Sequence, residues 1–502
     1  MSHPIRVRLS ATDQPRPFGG VGFHCFDHLH SSPGDHYDRV IVKRWRELNP
    51  SFARLTDRYD LPPDQQQWLA ANIRRLRDDT GTSVYLTTWN PAPTEPGPER
   101  ATYARRVVDN LEYLVRDQQL DNLRWYCMTN ELSLKGWGVL RDDLPTFADY
   151  HAEIHRELRR RDLSIDLLAT DASPIMFWHT IEWARQHMDD ITGAYGGHHY
   201  FNDHPPADPG TYDYFLEQTR WATALAGRKP FIIGEFGAAQ HKGARYGITN
   251  WDGCRWFDTD AEPLIGVQLA EAIAATINGG TYAVGYWTFA DFPDPKEPRY
   301  ANKWGTFRWS GDDHSIRPIY NALGPLTRFF RGPADVLDVA SGDPLVRAAA
   351  VRRGDGLSVV VVNRLDRPAG IELSLPGDAG EQPRAFRRYT YDPAAVRVSR
   401  FGDLLGPDAT IAARDGRVID EVPAGAFAVY TTAYADDVPA AVADVRAADG
   451  GVTWSPTAGA IYYRVYRAGQ QIGSTAALTW VQDAPAGQYA VRAVNVHGNE
   501  GP

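Results

Sequence analysis

Cysteine is scarce in this chain: there are three, Cys25, Cys127 and Cys254, among 502 residues. An odd number so widely spread excludes a disulfide scaffold and fits a reducing compartment. Long apolar runs are missing too. No stretch reaches the roughly 18 residues of a membrane span, so no membrane partner is expected. The 44 glycines and 35 prolines are too few for a collagenous or low-complexity chain. Basic residues are outnumbered, 53 Lys and Arg against 63 Asp and Glu. The net charge of −10 disfavours a nucleic-acid partner. The opening MSHPIRVRLSATDQP lacks the apolar core of roughly 7–15 residues found in signal peptides, so a cytoplasmic location is expected. The same residues left after removal of a signal would belong to a secreted protein. What is plentiful is aromatic: 15 Trp and 24 Tyr.

At roughly 150 residues per domain the length suggests about three domains. From Phe18 to Arg331, eight short apolar runs alternate with longer helical patterns. They cover residues 18–24, 51–57, 83–90, 123–131, 165–171, 192–201, 230–237 and 282–291. Leu61–Thr80 opens with prolines, carries apolar residues at helical spacing and is followed by Gly81. Arg100–Gln119 and Ala261–Asn278 read similarly. Strands alternating with helices argue a parallel sheet, and eight units argue a closed (β/α)₈ barrel spanning 1–333. A doubly wound open sheet fits less well, because FGGVGFH leads to His24, Cys25 and Phe26 and not to a helix N-terminus. The segment 334–436 carries short Val, Ala and Tyr runs broken by turn residues, the pattern of an antiparallel β-sandwich. Beyond a boundary near Asp437, residues 437–502 alternate with period two and form a second all-β unit. The predicted class is therefore α/β, a barrel followed by two all-β domains.

In a barrel, reactive groups gather at the C-terminal ends of the strands. Those positions here are His24, Arg54, Trp89 and Asn90, Asn130 and Glu131, Asp171, His198 to Tyr200, Glu235 and Trp287. Glu131 and Glu235 end the fourth and seventh strands and face one another across the barrel mouth. Two carboxylates flanking a sugar bond are what glycoside hydrolysis requires, one protonated and one ionised. Arg54 is the candidate cation for keeping Glu235 ionised. Asn130 is placed to meet a sugar 2-hydroxyl.

On Arg54 in FARL, Asn130-Glu131 in MTNEL, His198 and Tyr200 in GGHHYF, Glu235 in IIGEFG and Trp287 in GYWTF, residues 18–331 resemble the clan A (4/7 superfamily) retaining glycoside hydrolases. The resemblance implies Glu131 as general acid/base and Glu235 as nucleophile. It places His198 and Tyr200 along the sugar site and Trp287 at its floor, and it implies no cofactor and no metal. Residues 335–435 look like the β-domain often appended to such barrels, and 437–502 like a fibronectin type III module, a spacer or docking unit. Many members have Pro after the acid/base Glu where this chain has Leu132, and no individual family is assigned.

Asp27, His28, Asp171, Trp89 and Trp304 complete the expected substrate-binding set. Trp137, Trp178, Trp251 and Trp256 also lie near strand ends, where flat rings can stack on pyranose faces. The cluster His24, Cys25, His28 and His30, with His198, His199 and His204, could hold a metal. Lining a sugar pocket is the favoured reading, because no second ligand pair has zinc spacing. The long segments Gln240–Asp260 and Pro293–Arg317 read as walls of a closed pocket, which favours exo action or short oligosaccharides. The leading expectation is a retaining glycosidase acting on an equatorial β-D-type bond or an α-L-arabinofuranoside. A transglycosylase using the same residues, a silent carbohydrate-binding or adhesion protein, and a metal hydrolase are the alternatives. The partner expected is a carbohydrate. Sugar, linkage and oligomeric state stay open.

Overall fold

The computed structural model describes residues 3–12, 16–25, 37–57, 61–88, 100–132, 143–173, 177–200, 207–238, 262–291, 305–309, 313–376, 385–448, 450–481 and 489–502. Eight parallel strands pair in chain order: Pro17–Cys25, Phe52–Asp57, Ser83–Thr88, Leu123–Cys127, Asp166–Ala172, Ala194–Tyr200, Phe231–Gly237 and Ala283–Tyr286. The eighth returns to the first, with Gly20 opposite Ala283 and Phe23 opposite Tyr286, so the sheet closes into the expected barrel. Phe52, Tyr85, Trp125, Cys127, Leu168, Ala194, Ile232 and Ala283 form the plug of side chains inside it.

Local signals explain the surrounding helices. Pro63–Thr80 starts at two prolines, buries Leu69, Ile73 and Leu76, and stops at Gly81. Gly81 adopts a left-handed φ of 62°, which lets its N–H bond back to the carbonyls of Arg77 and Leu76. Leu144–Arg160 is capped by Asp143, whose carboxylate accepts from the Thr146 N–H at 3.1 Å. Among the described residues no helix is long and apolar enough to cross a membrane.

The sandwich is built from Arg331–Ser341, Val346–Arg353, Gly356–Asn363, Ala369–Ser374, Ala385–Tyr391, Ala409–Ala412, Arg417–Val422 and Phe427–Thr431. One expectation is corrected here. Ile5–Ser10, counted with the barrel in the 1–333 span, pairs antiparallel with Arg331–Ser341 and parallel with Ala369–Ser374. Its alternation sends Val7 and Leu9 into the sandwich core. Arg331–Ser341 also pairs antiparallel with the first barrel strand, so barrel and sandwich share a hydrogen-bonded seam. Buried Glu271, on the barrel helix Glu262–Gly279, meets Arg347 and Arg364 of the sandwich.

The C-terminal unit has two three-stranded sheets, Arg446–Ala448, Gly451–Thr453 and Thr479–Val481 against Tyr462–Arg467, Gln470–Thr475 and Tyr489–Val494. Trp454, Tyr463, Val465 and Val491 fill the space between them. Lys43 on the first barrel helix, itself buried, binds Glu47 at 2.8 Å and Asp403 of the sandwich segment at 2.9 Å. Asp403 in turn binds Arg464 of the C-terminal unit at 3.0 Å. Glu47 also accepts from the Tyr320 hydroxyl at 2.6 Å and the Leu404 N–H at 2.8 Å. All three units therefore converge on one buried network.

Removing one member of such a network strands the others as buried, unpaired charges. Glu47→Ala is expected to destabilise the fold by about 3–5 kcal/mol, read as a lower urea midpoint by circular dichroism. An unchanged midpoint would show that the network contributes nothing.

Candidate active site

The site sits at the C-terminal mouth of the barrel, and Arg54 is at its centre. Phe52 points into the barrel, so Arg54, two residues on, points in as well. Its guanidinium is fully buried. One terminal nitrogen donates to Glu235 Oε1 at 2.6 Å and to His24 Nδ1 at 2.7 Å. The other donates to Asn130 Oδ1 at 2.5 Å and Asp171 Oδ2 at 2.7 Å. The Tyr85 ring lies beneath, 5.4 Å from the guanidinium carbon.

Two irregularities in the strands bring the acids to it. In the seventh strand Ile232 faces the barrel interior. Strict alternation would turn Glu235 outward, but the pairing shifts register between Ile233 and Phe236 and between Gly197 and His198. That bulge rotates Glu235 inward. Gly234 makes room, since a Cβ there would stand 3.0 Å from Arg54 Cδ and 3.3 Å from His198 Nε2. In the fifth strand the register shifts between Thr170 and Ala172, and Asp171, the extra residue, takes a left-handed φ of 54°. Glu131 is also left-handed, with φ 52°. Such backbones cost energy for a residue with a side chain and concentrate where a side chain must be aimed.

His198 connects the carboxylates. Its Nδ1 lies 3.0 Å from Glu131 Oε1 and 3.4 Å from Glu235 Oε2, and its Nε2 lies 3.2 Å from Asp171 Oδ1. Burial pulls the imidazole towards neutrality, but Glu235 and Asp171 outweigh it and lift its pKa to about 10. The ring is therefore cationic and donates to Glu131. His24 is the opposite case. Burial first, then Arg54, pull its pKa down to about 4. The neutral ring accepts from Arg54 at Nδ1 and meets Thr56 Oγ1 through Nε2 at 3.3 Å. Burial would raise Glu235 and Asp171, but His198 and Arg54 overcome it and hold both below the usual carboxylate range. Burial and Glu235 keep Tyr200 protonated, and its hydroxyl donates to Glu235 Oε2 at 2.5 Å. Trp287 packs its edge against His24, with ring centroids 4.5 Å apart.

Glu131, Asn130, Arg54, Asp171, His198, Tyr200, Glu235 and Trp287 thus come together. Arg54, expected as the cation beside Glu235, and His198 and Asp171, expected along the sugar site, lie fully buried against the carboxylates. Asn130 spends its oxygen on Arg54. His24, read from the sequence as a strand-end residue, belongs to this centre, and so does Tyr85, which was not singled out. The signal was available, because Tyr85 lies in a strand and pairs directly with Arg54 in the neighbouring strand. Trp178 is no sugar platform, being fully buried against His199 and Phe231. Asp27, His28, His30, Trp89, Trp137, His204, Trp251, Cys254, Trp256 and Trp304 lie outside the described residues, as does Gln240–Asp260.

Among the described residues, His24, His198 and His199 do not gather into a set of histidine ligands. His199 stacks on Phe215 at 4.3 Å, away from His198. Glu131, His198 and Glu235 do place ligand atoms within 4.8 Å of one another. With Arg54 on Glu235 and both His198 nitrogens facing carboxylates, that set already contains its cations. Cys25 and Cys127 are buried, which pushes both thiols up, Cys127 to about 12, and leaves them poor nucleophiles.

A stability optimum near neutrality follows. His198 binds its proton more tightly in the folded chain. Its stabilisation is complete below the ordinary value of 6.5 and is lost as pH rises towards about 10. His24 is held neutral, so its contribution is complete above 6.5 and is lost as pH falls towards about 4. Thermal unfolding against pH is expected to show both limbs, with at most about 1.4 kcal/mol per pH unit from either group. His198→Gln should flatten the alkaline limb and leave the acid one. A variant that keeps the full alkaline limb would remove His198 from this role.

No family model matches the sequence, and no curated protein matches it either. Solved structures do resemble it. A GH30 endoxylanase from Clostridium papyrosolvens is similar with a TM-score of 0.60 at 15% identity, over 86% of this chain and 99% of the other. A glucosidase from Croceicoccus marinus is similar with a TM-score of 0.58 at 13% identity, over 85% and 98%. A GH39 enzyme from Xanthomonas axonopodis pv. citri is similar with a TM-score of 0.55 at 13% identity, over 86% and 97%. These likenesses show that the chain has the barrel-plus-β-domain fold that such glycoside hydrolases have.

Proposed function

We propose that the chain is a retaining glycoside hydrolase in which Glu235 is the nucleophile and Glu131 the general acid/base. The carrying observation is that Glu131 and Glu235 offer oxygens within 4.8 Å of each other at the barrel mouth. Direct attack by a carboxylate needs a separation of about 5–5.5 Å, whereas a water held between the two needs about 6.5–9.5 Å. Environment divides the roles. Glu235 is held ionised by Arg54 and His198 and oriented by Tyr200, as a nucleophile must be. Glu131 is the more open, its side chain 15% exposed against 5% for Glu235, and can exchange a proton with a leaving group and with water.

The reaction then has two steps. Glu235 attacks the anomeric carbon while Glu131 protonates the departing oxygen, leaving a glycosyl ester on Glu235. Glu131 next takes a proton from water, which releases the sugar with its configuration retained. The substrate class is an equatorial β-D-type glycoside or an α-L-arabinofuranoside, cleaved from a chain end or in short oligosaccharides. The neighbouring xylanase and glucosidase put a xyloside and a glucoside first in a test panel.

The test uses aryl β-xyloside, β-glucoside, β-galactoside, β-mannoside, β-galactofuranoside and α-L-arabinofuranoside. Proton NMR is expected to show the first-formed sugar with the anomeric configuration of the substrate. Glu235→Gln should lose at least about 10³-fold in turnover while still binding sugar. An inverted product would refute the mechanism. Binding without turnover in the unmodified chain, on this panel and on polysaccharides, would leave a carbohydrate-binding protein.

A further inference from the structure

The network that joins the three units borders a second cavity, remote from the barrel mouth. It is a half-open cleft of about 410 Å³, lined from all three sides: Arg46 and Asp79 from the barrel, Arg328 and Arg331 from its exit, Arg353 from the sandwich and His497 from the C-terminal unit. Four guanidinium groups meet one carboxylate there. Asp79 is already engaged by Arg46 at 2.9 Å.

The remaining arginines have no carboxylate partner among the described residues. Arg328 spends Nε and one terminal nitrogen on the Glu47 carbonyl. Arg331 donates to the carbonyls of Asn49, Pro50 and Thr80 and to the Asn49 side chain. These are dipoles, which satisfy hydrogen bonds but supply no countercharge. Arg353 is exposed on the strand Val346–Arg353. His497 Nδ1 is buried without a hydrogen-bond partner. Burial and the neighbouring Arg353 both work against the charge on Arg331, lowering its pKa to about 10. The buried charges of Arg328 and Arg331 are costly unless an anion answers them. Guanidinium forks suit phosphate and carboxylate oxygens, which accept two parallel N–H bonds.

We propose that this junction binds a small multivalent oxyanion, of the phosphate or polycarboxylate class, and that the ligand cross-links barrel, sandwich and C-terminal unit. Because the cavity walls come from three units, the site exists only when they are docked. Binding therefore stabilises the assembled chain by linkage.

The test is thermal unfolding and calorimetric titration of the full chain with inorganic phosphate, pyrophosphate and citrate, against sodium chloride at matched ionic strength. A saturable rise in Tm with at least one oxyanion, absent in chloride, is expected. A preference for pyrophosphate assigns the phosphate class and a preference for citrate the polycarboxylate class. Arg353 has no described partner, so Arg353→Gln should fold normally in chloride yet bind about tenfold more weakly. Arg353→Glu should abolish the rise. Equal Tm in chloride and oxyanions overturns the proposal, as does unchanged affinity in both variants.

Discussion

One guanidinium holds the barrel mouth together. Arg54 is wholly buried, and a charge in that position is tolerable only because its partners arrive from several strands at fixed distances. It touches His24 from the first strand, Asn130 from beyond the fourth, Asp171 from the fifth and Glu235 from the seventh. A lysine could not do this. Its single ammonium cannot present a flat, two-sided fork to a carboxylate on one side and a carboxylate and an amide on the other. The left-handed backbones at Glu131 and Asp171 and the register shifts beside Glu235 all serve to bring side chains to this cation or to the histidine next to it. The cost of those backbones is met by the electrostatics they permit.

Much of this was legible in the sequence, and what escaped did so for a definable reason. All eight barrel strands follow from apolar runs separated by helical patterns, because parallel strands covered on both faces read as continuous hydrophobic segments. Glu131, Glu235 and Arg54 were visible as strand-end chemistry. Their depth was not. Period-two alternation predicts which residues share a face only while the register is unbroken, and the fifth and seventh strands break it next to the site. Hence Asp171, the extra residue of the fifth strand, turns into the buried cluster where unbroken alternation would not have put it. The early strand Ile5–Ser10 shows the complementary limit. Its alternation marks it as a strand, yet only its partners, Arg331–Ser341 and Ala369–Ser374, show that it belongs to the sandwich.

The three units are joined by polar contacts more than a chain of modules would lead one to expect. Lys43, Glu47, Asp403 and Arg464 are distributed over barrel, sandwich and C-terminal unit. No local pattern announces such a network, since each residue taken alone is an ordinary charged side chain on a helix, loop or strand. Burial gives these contacts their specificity. A docked geometry that failed to align them would leave several charges desolvated and unpaired. The same junction gathers the surplus arginines of the second cavity, so the electrostatics of docking and of anion binding share one place.

On the proposed mechanism, the charge balance at the barrel mouth explains why His198 lies between the two glutamates. Before attack, Arg54 and His198 carry two positive charges, balanced by Asp171 and Glu235. Formation of the glycosyl ester removes the charge on Glu235, and by itself that would leave a buried positive excess. In the same step Glu131 gives up its proton and becomes a carboxylate 3.0 Å from His198 Nδ1. The imidazolium keeps an anionic partner throughout: Glu235, at 3.4 Å, before the ester forms, and Glu131 after it. Asp171, fully buried and bound to both cations, stays ionised in every state. The net charge of the buried cluster is thus the same at the start and in the intermediate. A site with constant charge does not have to reorganise its dipoles during the step, and such preorganisation is an electrostatic source of catalysis.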